Sequence, residues 1–500
     1  MFVDLGVRDF LDRAEQVYPD RVAVVDEPDQ PAPSWGALTY RDMTRLALAQ
    51  AAGLEELGVP VGGRVAIVSH NAARLLVSFF GVSGWGRILV PINFRLAPAE
   101  VAYIVEDCGA EVLLVDPELE HLLDTVTAKH VFVLGKDDDR IFGSTREPAA
   151  WAGDESATAT INYTSGTTAR PKGVQLTHRN LWINAVVFGL HAGVTDDDVL
   201  LHTLPMFHAN GWGMPYVLTG LGGRHIVLRK IDGTEILRRI DEHAVTLMCA
   251  APTVMSAALD AASTWDGPIP GRDRVRVVVA GAPPPTRTIQ RVREELGWEF
   301  IQIYGLTETS PLLTVNRMRA EWRELGPLEQ ARHLGQAGAP AIGVRLRVGA
   351  DGEVLTRTNH VLDAYWDKPD ETARVLTDGW FRTGDGGSLS DGYLTIYDRK
   401  KDVIISGGEN VGSIEVEDVL NSHPAVQEAA VIGIPDEKWG ELVTAIVVTD
   451  DRGVTAEDLI RHCRARLAGY KCPKRIEFST ALPRTATGKI QKFVLREPFL

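Results

Sequence analysis

Cysteine is scarce in this chain, and the few cysteines that occur lie far apart. The sequence of 500 residues has 4 of them, Cys108, Cys249, Cys463 and Cys472, and no two form a Cys-x-x-Cys pair. Disulfide-stabilised domains and structural zinc sites need several cysteines at short intervals. The sequence therefore predicts neither a disulfide framework nor a zinc site.

Long hydrophobic runs and a basic excess are also missing. The chain has no run of about eighteen uncharged apolar residues, the length that a membrane-spanning helix needs. Its first residues, Met1–Gly6, do not place a basic region before an apolar core, as a secretory signal would. The formal net charge of −15 argues against nucleic acid or an anionic membrane as the main partner. We expect a cytoplasmic protein without a transmembrane anchor.

What the chain does have is the composition of a large globular enzyme. Of its residues, 45% are hydrophobic and 24% are charged, and 47 are glycine. A single hydrophobic core rarely grows beyond about 250–300 residues. The length therefore predicts two or more domains.

Hydrophobic patterning divides the chain into parts with different predicted secondary structure. Strands such as Arg64–Val68 alternate with helices in the first part, which indicates mostly parallel sheets flanked by helices. Short alternating runs with Asp-Gly turns at about 340–398 predict β-hairpins. The expected fold class is α/β: an N-terminal body over 1–398 that includes this β-rich subdomain, a hinge at 399–402, and a small mobile α+β C-terminal domain over 403–500.

One loop is unusually dense in hydrogen-bond donors. Thr164–Gly173 has the sequence Thr-Ser-Gly-Thr-Thr-Ala-Arg-Pro-Lys-Gly, and it follows a predicted strand at 157–163. Small residues let backbone N–H groups approach an anion, hydroxyls donate further bonds, and Lys172 supplies a positive charge. Because Lys172 is followed by Gly173 and not by Ser or Thr, the loop is not a Walker P-loop. It predicts a clamp for several phosphates.

Further segments downstream resemble the motifs of the adenylate-forming superfamily, in that family's order. The superfamily includes acyl-CoA synthetases, aryl-CoA ligases, adenylation domains and firefly-type luciferases. His208 with Asn210–Trp212, and Gly407–Val411, are most similar to the fatty-acyl and medium-chain acyl-CoA synthetase branch. The full set of segments is Tyr163–Gly173, Leu204–His208, Ala280–Pro283, Tyr304–Thr309, Trp380–Asp385, Asp398–Asp402, Gly407–Asn410 and Pro483–Lys489.

The resemblance implies an ATP- and Mg²⁺-dependent acid–CoA ligase, and it assigns residues to the nucleotide. Glu308 would ligate Mg²⁺, Thr307 would bond the α-phosphate, and Lys489 would bridge that phosphate and the substrate carboxylate. Tyr304 would stack on adenine, and Asp385 would accept bonds from the ribose hydroxyls with help from Arg399. The implied ATP-binding set is Thr164, Ser165, Gly166, Thr167, Thr168, Lys172, Gly281, Ala282, Tyr304, Gly305, Asp385 and Arg399.

The resemblance also implies where the acid binds. His208 would line the channel between the acyl site and the thiol tunnel, and would gate it. Because the implied residues are mostly small or apolar, we expect a medium-to-long aliphatic or an aromatic monocarboxylic acid. The implied acyl-binding residues are Trp182, His208, Asn210, Gly211, Trp212 and Gly281.

The second half-reaction, formation of the acyl-CoA thioester, is implied to use another face of the C-terminal domain. That domain would rotate about a hinge at Lys401 after pyrophosphate leaves, because the loop at Gly407 and Lys489 cannot both face the site together. The implied CoA-binding residues are Gly407, Gly408, Trp439, Tyr470 and Lys474.

Three departures from the family's pattern leave alternatives open. Ala169 stands where the loop usually has Gly, Cys472 where some relatives carry an arginine for CoA, and Gly412 where Tyr or Ser is common. An adenylating amide synthetase or a carrier-protein acyl ligase is one alternative, and a non-catalytic nucleotide-binding protein is another. A homodimer is also left open.

Overall fold

The computed structural model describes residues 1–164, 170–400, 402–450, 453–485 and 489–499. The first part of the chain alternates strands and helices, as the hydrophobic pattern predicts. Its elements are α1 (Arg8–Val17), β1 (Val22–Val25), β2 (Ala37–Thr39), α2 (Tyr40–Glu56), β3 (Arg64–Val68), α3 (Ala73–Gly81), β4 (Ile88–Ile92), α4 (Pro98–Asp107), β5 (Val112–Val115), β6 (His130–Val133) and α5 (Asp138–Phe142).

The alternation continues through the middle of the chain. Thr177 caps the long helix there, and its side chain accepts a hydrogen bond from the Asn180 backbone. The elements are β7 (Thr158–Thr164), β8 (Lys172–Thr177), α6 (His178–Ala192), β9 (Val199–His202), α7 (Met214–Leu221), β10 (Arg224–Val227), α8 (Gly233–His243), β11 (Leu247–Ala250), α9 (Pro252–Ala262), β12 (Arg276–Val279), α10 (Thr286–Arg291), β13 (Glu299–Gly305), β14 (Leu312–Asn316), α11 (Pro327–Leu334) and β15 (Ala339–Pro340).

The remaining elements are mostly strands up to residue 411 and a mixture of helices and strands after that. The predicted hairpins are confirmed as antiparallel pairs, such as β20 with β21. The elements are β16 (Arg345–Val348), β17 (Glu353–Arg357), β18 (Ala364–Tyr365), α12 (Pro369–Val375), β19 (Leu376–Thr377), β20 (Trp380–Ser390), β21 (Tyr393–Arg399), β22 (Ile404–Ser406), β23 (Glu409–Val411), α13 (Ser413–Asn421), β24 (Val426–Asp436), β25 (Gly440–Thr449), α14 (Ala456–Arg464), β26 (Arg475–Phe478) and α15 (Lys492–Arg496).

The N-terminal body contains two large sheets. One has the strand order β18-β8-β7-β4-β3-β5-β6, and the other has the order β15-β14-β13-β12-β11-β9-β10-β1-β2. Most neighbours in both sheets run parallel, for example β3 with β4 and β12 with β13, so the expected α/β class is confirmed. The segment with Glu308 follows β13. Ligands of parallel sheets bind beyond the carboxyl ends of the strands, which is where this segment lies.

One hydrophobic core joins the helices between the two sheets. It includes Phe80 on α3, Leu176 on β8, Tyr216 on α7 and Ile301 on β13, all of them buried. Removal of this much apolar surface from water fixes the two sheets against each other. A further cluster around Val431 and Leu459 forms the core of the C-terminal part.

The strands before and after residue 400 belong to different sheets. Among the described residues, no strand pairing joins an element that ends at or before Arg399 to one that begins at or after Ile404. The C-terminal strands have their own order, β23-β22-β25-β24, with β26 beside β25. No helix in the described part of the chain is long and apolar enough to cross a bilayer. The boundaries at 398 and 403 stay predictions.

Candidate active site

The predicted adenosine residues lie in direct contact. The hydroxyl of Tyr304, at the end of β13, donates to Oδ2 of Asp385 on β20 at 2.6 Å. Arg399 is the strand partner of Asp385, and its Nε lies 3.1 Å from Oδ1. Burial raises the pKa of Asp385, although Arg399 and Tyr304 act in the opposite direction. Burial and the same carboxylate raise the pKa of Tyr304 well above its ordinary value.

Lys489 lies within electrostatic range of these residues. Burial lowers its pKa, Arg399 lowers it further, and the carboxylates of Asp385 and Glu308 oppose both effects. Locally, the Lys489 backbone N–H donates to the Thr485 hydroxyl at 3.1 Å, and the Thr485 N–H donates to the Lys489 carbonyl at 2.7 Å. Residues 486–488, between these two, lie outside the described residues. The ammonium group is therefore within electrostatic reach of both N-terminal carboxylates.

Glu308 belongs to a single 3₁₀ turn, Thr307–Thr309, that follows β13. Its Oε1 accepts a 2.9 Å hydrogen bond from the hydroxyl of Tyr365. Its backbone carbonyl accepts a 2.7 Å bond from the N–H of Leu362, so both ends of the residue are held by one segment. Thr307 is buried beside it. Sequence reasoning missed Tyr365, because 57 residues separate it from Glu308 and no motif spacing connects them.

Only the ends of the predicted phosphate loop can be placed. Thr164 and Lys172 are cross-strand partners where β7 ends and β8 begins. Lys172 Nζ lies 2.7 Å from Oε2 of Glu371 on α12 and 5.4 Å from the centroid of the Tyr365 ring. Tyr365 thus connects the loop lysine to Glu308. Ser165, Gly166, Thr167, Thr168 and Ala169 lie outside the described residues.

His208 begins a backbone turn of the wrong hand for L-amino acids. Ala209, Asn210 and Trp212 have φ angles of 44°, 53° and 61°, with Gly211 and Gly213 also in the left-handed region. Each non-glycine residue there costs about 1–2 kcal/mol. Burial lowers the pKa of His208 to about 4, and Lys489 adds to the effect. At neutral pH, His208 is therefore a neutral imidazole within electrostatic range of Lys489.

Two buried asparagines hold this turn from opposite sides. The Asn162 side-chain N–H donates to Asn210 Oδ1 at 3.0 Å, and Asn210 donates in turn to Thr160 at 2.9 Å. Asn184 on α6 donates to the Trp212 carbonyl at 3.3 Å and accepts from the Leu312 N–H at 3.1 Å. Asn162 lies on β7, two residues before Thr164. The turn is thus bonded to the strand that leads into the phosphate loop.

The predicted acyl residues are not all brought together. Gly281 and Ala282 follow β12, and a Cβ on Gly281 would meet open space. Trp182 is placed elsewhere: its indole N–H donates to Asp9 at 3.1 Å, and its ring lies 5.9 Å from that of Phe10 on α1. The structure therefore gives no support to an acyl-binding role for Trp182. Asn210 is fully buried, and its amide oxygen and nitrogen are both bonded to side chains of β7.

Three of the predicted CoA residues, Gly407, Trp439 and Lys474, lie close together in the C-terminal part of the chain. Gly407 and Gly408 have φ angles of 62° and 85°, and a Cβ on Gly407 would lie 3.0 Å from the Trp439 ring. Lys474 Nζ lies 5.9 Å from the centroid of that ring. Tyr470 is exposed, and Cys472 is buried in the C-terminal core, where it offers no group to a ligand. Lys401 lies outside the described residues.

Protein-family models match most of the chain. The AMP-binding enzyme model matches residues 11–366, and the model of the AMP-binding enzyme C-terminal domain matches residues 415–489. Among curated relatives, 4-hydroxybutyrate–CoA ligase 2 of Metallosphaera sedula is 37% identical over 97% of this chain and 93% of its own. A 2-methylpropanoate–CoA ligase of Humulus lupulus is 36% identical over 98% of this chain and 94% of its own.

Two solved structures are similar to this chain over nearly its whole length. An anthranilate CoA ligase in complex with anthranoyl-AMP has a TM-score of 0.88 and 28% identity, covering 100% of this chain and 98% of that one. The amide bond synthetase McbA from Marinactinospora thermotolerans has a TM-score of 0.85 and 27% identity, covering 99% of each chain. The resemblance to adenylate-forming enzymes is thereby confirmed, and the chain belongs to the AMP-binding enzyme family, with both its main and its C-terminal domain.

Proposed function

We propose that this enzyme is an ATP-dependent acid–CoA ligase. It joins a carboxylic acid to AMP, with release of pyrophosphate, and then transfers the acyl group to the thiol of CoA, with release of AMP. The observation that carries the proposal is the convergence of Lys489 with Asp385 and Glu308, which come from three separate parts of the chain. The names of the curated relatives support the choice of CoA as acceptor.

The first half-reaction brings two anions together. An oxygen of the acid attacks the α-phosphorus of ATP, and the bond from that phosphorus to pyrophosphate breaks. Catalysis then consists of orienting the reactants and neutralising charge. Asp385 holds the ribose, Tyr304 covers adenine, and Lys489 donates to the α-phosphate and the attacking carboxylate. The carboxylates near Lys489 oppose the fall of its pKa, and bound phosphates would do the same.

The residues present fit a Mg²⁺ ion carried in with the nucleotide. The described residues include no group of three or more His, Cys, Asp or Glu side chains that could hold a metal by themselves. Glu308 offers a carboxylate whose Oε1 is oriented by Tyr365. Mg²⁺ is usually held by one or two carboxylates together with phosphates and water, and it neutralises phosphate charge when bound. Glu308 is the residue that would hold it here.

The second half-reaction needs a different face of the C-terminal domain. The sulfur of CoA attacks the acyl carbonyl, the bond to AMP breaks, and the thiol proton is released. The cluster of Gly407, Trp439 and Lys474 would bind the pantetheine arm and the nucleotide of CoA. In this structure those residues lie beside one another, and Lys489 is within electrostatic range of Asp385 and Glu308. We therefore interpret the observed arrangement as the one used for adenylation, with a rotation about Lys401 before thioester formation.

The acid is proposed to be a monocarboxylic one, aliphatic or aromatic. The sequence alone favours a medium-to-long chain or an aromatic ring. Two relatives of 36–37% identity carry the names of four-carbon acids, however, and a structural neighbour carries that of an aromatic acid. Short acids therefore belong in any test beside longer and aromatic ones.

The test is a panel of acids scored with different acceptors. The enzyme, ATP and Mg²⁺ are incubated with 2-methylpropanoate, 4-hydroxybutyrate, octanoate or anthranilate, and with CoA, an amine or no acceptor. We expect acid-dependent exchange of labelled pyrophosphate into ATP, and AMP release that requires CoA. AMP release with the amine alone would identify an amide synthetase, which the similarity to McbA makes the second candidate. Nucleotide binding without any exchange would contradict both.

A further inference from the structure

A carboxylate from the C-terminal region completes a helix of the N-terminal body. The helix α10 begins at Thr286, directly after Pro283–Pro285, and Pro285 at its N-cap position makes no side-chain hydrogen bond. Asp418 on α13 takes that place. The Thr286 backbone N–H donates to its Oδ1 at 2.8 Å, and the Thr286 hydroxyl donates to its Oδ2 at 2.9 Å.

The Asp418 carboxylate suits the groups that the start of α10 exposes. The first N–H groups of a helix have no partner within the helix, and the helix dipole favours a negative charge at that end. Proline cannot provide the capping oxygen that Ser, Thr, Asp or Asn would provide. The C-terminal region therefore supplies a cap that the local sequence of α10 lacks. A second, longer contact lies beside it, from the Arg287 guanidinium to the His423 carbonyl at 3.5 Å.

The same helix of the C-terminal region is bonded to the segment that carries Lys489. Glu417, the neighbour of Asp418, lies 2.9 Å from the ammonium of Lys492. Lys492 follows Lys489 by three residues and begins α15. On α13, Asp418 thus contacts α10, a few residues after the predicted ATP-binding residue Ala282. Glu417, its neighbour, holds Lys492 and so the segment that carries Lys489.

We propose that Asp418 is a positioning residue for the adenylation half-reaction. Its bonds to Thr286 hold the C-terminal domain in the orientation that places Lys489 near the carboxylates of the N-terminal body, and they break when the domain rotates. The inference rests on the proposed function. Loss of a capping oxygen changes a folding equilibrium by a factor on the order of ten. That is enough to favour one orientation, and weak enough for release in each turnover.

The test compares the two half-reactions in Asp418→Ala. The first is acid-dependent exchange of pyrophosphate into ATP with 2-methylpropanoate, or with whichever acid of the panel is fastest. The second is thioester formation from CoA and the corresponding acyl-adenylate supplied directly. We expect exchange to fall by about tenfold, and thioester formation to stay unchanged or to rise. An equal fall in both rates, or no change in either, would overturn the proposal.

The chain offers a closely matched control. Asp458 also accepts from a threonine hydroxyl and backbone N–H, those of Thr455, at 2.6 Å and 3.1 Å, but both partners lie in the C-terminal region. Asp458→Ala should leave the ratio of the two half-reactions at the wild-type value. A change in that ratio as large as in Asp418→Ala would overturn the proposal, because it would show that any lost cap has this effect.

A second variant covers the case in which Asp418→Ala folds poorly. Thr286→Val removes the hydroxyl bond and keeps the backbone N–H. We expect it to shift the ratio in the same direction by a smaller factor, and to add nothing in combination with Asp418→Ala. Full additivity would contradict the proposed contact. If wild-type enzyme shows no exchange with any acid, the proposed function itself fails; if exchange occurs and the ratio is unaltered in Asp418→Ala, only the role of Asp418 fails.

Discussion

The hydroxyl of Tyr304 donates a 2.6 Å hydrogen bond to Asp385, across a distance of 81 residues in sequence. The aromatic ring proposed to cover adenine is thus bonded to the carboxylate proposed to hold the ribose. Asp385 is otherwise paired with Arg399, at 3.1 Å. The two residues proposed to hold the two ends of the adenosine thus belong to one hydrogen-bonded network, and the tyrosine hydroxyl can be removed without loss of the ring.

Tyr304→Phe removes the hydroxyl and keeps the ring. A hydrogen bond to a charged group is worth about 1.5–3 kcal/mol, so we expect the KM for ATP to rise at least about tenfold, with a smaller change in kcat. The measurement is pyrophosphate exchange at varied ATP. Tyr40→Phe is the control, because its buried hydroxyl donates to the Gly223 carbonyl outside the site. A KM for ATP unchanged in Tyr304→Phe would show that the network does not serve the nucleotide.

Tyr365→Phe tests the support of the proposed metal ligand. The hydroxyl of Tyr365 orients Glu308 through a 2.9 Å bond. Loss of a residue that orients a metal ligand typically costs about 10–100-fold in metal affinity. We expect the Mg²⁺ concentration for half-maximal exchange to rise by at least about tenfold, and saturating Mg²⁺ to restore most of the rate. An unaltered Mg²⁺ titration would remove Glu308 from the metal site.

Gly213→Ala tests the left-handed turn. Gly213 has a φ of 84°, and an added Cβ would lie 2.6 Å from the Asn184 amide nitrogen. Gly343 has a φ of 85° with nothing within 4 Å of an added Cβ, so Gly343→Ala isolates the cost of the backbone angle. That cost is about 1–2 kcal/mol in both variants, and overpacking adds about 1–3 kcal/mol at Gly213. Thermal unfolding should therefore begin earlier in Gly213→Ala. Equal midpoints would contradict the crowding at Asn184.

Buried histidines predict a loss of stability on mild acidification. Burial lowers the pKa of His178 from 6.5 to about 4. In the unfolded chain this group binds a proton near pH 6.5, so its contribution to stability is full above that pH and is lost as the pH falls toward 4. At pH 5 the loss is about 2 kcal/mol.

His178→Gln should therefore weaken the pH dependence of unfolding. The free energy of unfolding, or the thermal midpoint, is compared at pH 7 and pH 5 in the variant and in wild type. His121 is exposed, and His121→Gln should keep the wild-type difference. The same difference in His178→Gln as in wild type would show that this imidazole is charged, or accessible, in the folded protein.

The sequence predicted the parts of the site that depend on local motifs. Tyr304, Glu308 and Asp385 each follow or lie in a recognisable strand-and-turn segment, and the fold class followed from the alternation of strands and helices. Contacts between distant segments could not be predicted. Tyr365 meets Glu308 across 57 residues, and Asp418 meets Thr286 across 132. Neither spacing leaves a local signal.

The left-handed turn after His208 is a second feature that could not be predicted from the sequence. Alanine and tryptophan disfavour a positive φ, so local preference argues against the conformation observed at Ala209 and Trp212. The turn exists because buried bonds from Asn162 and Asn184 outweigh that preference. The packing of Trp182 on α1 likewise depends on a distant segment that leaves no local signal. Its acyl-binding role stays a prediction.

Lys489 is proposed to serve the adenylation half-reaction and not the thioester-forming one. Lys489→Ala should reduce acid-dependent pyrophosphate exchange by at least about 100-fold, the usual loss when one charge-stabilising donor is removed. Thioester formation from supplied acyl-adenylate and CoA should stay near the wild-type rate. Lys136→Ala, at an exposed lysine paired with Glu120, should alter neither rate. Equal loss of both half-reactions in Lys489→Ala would contradict the account.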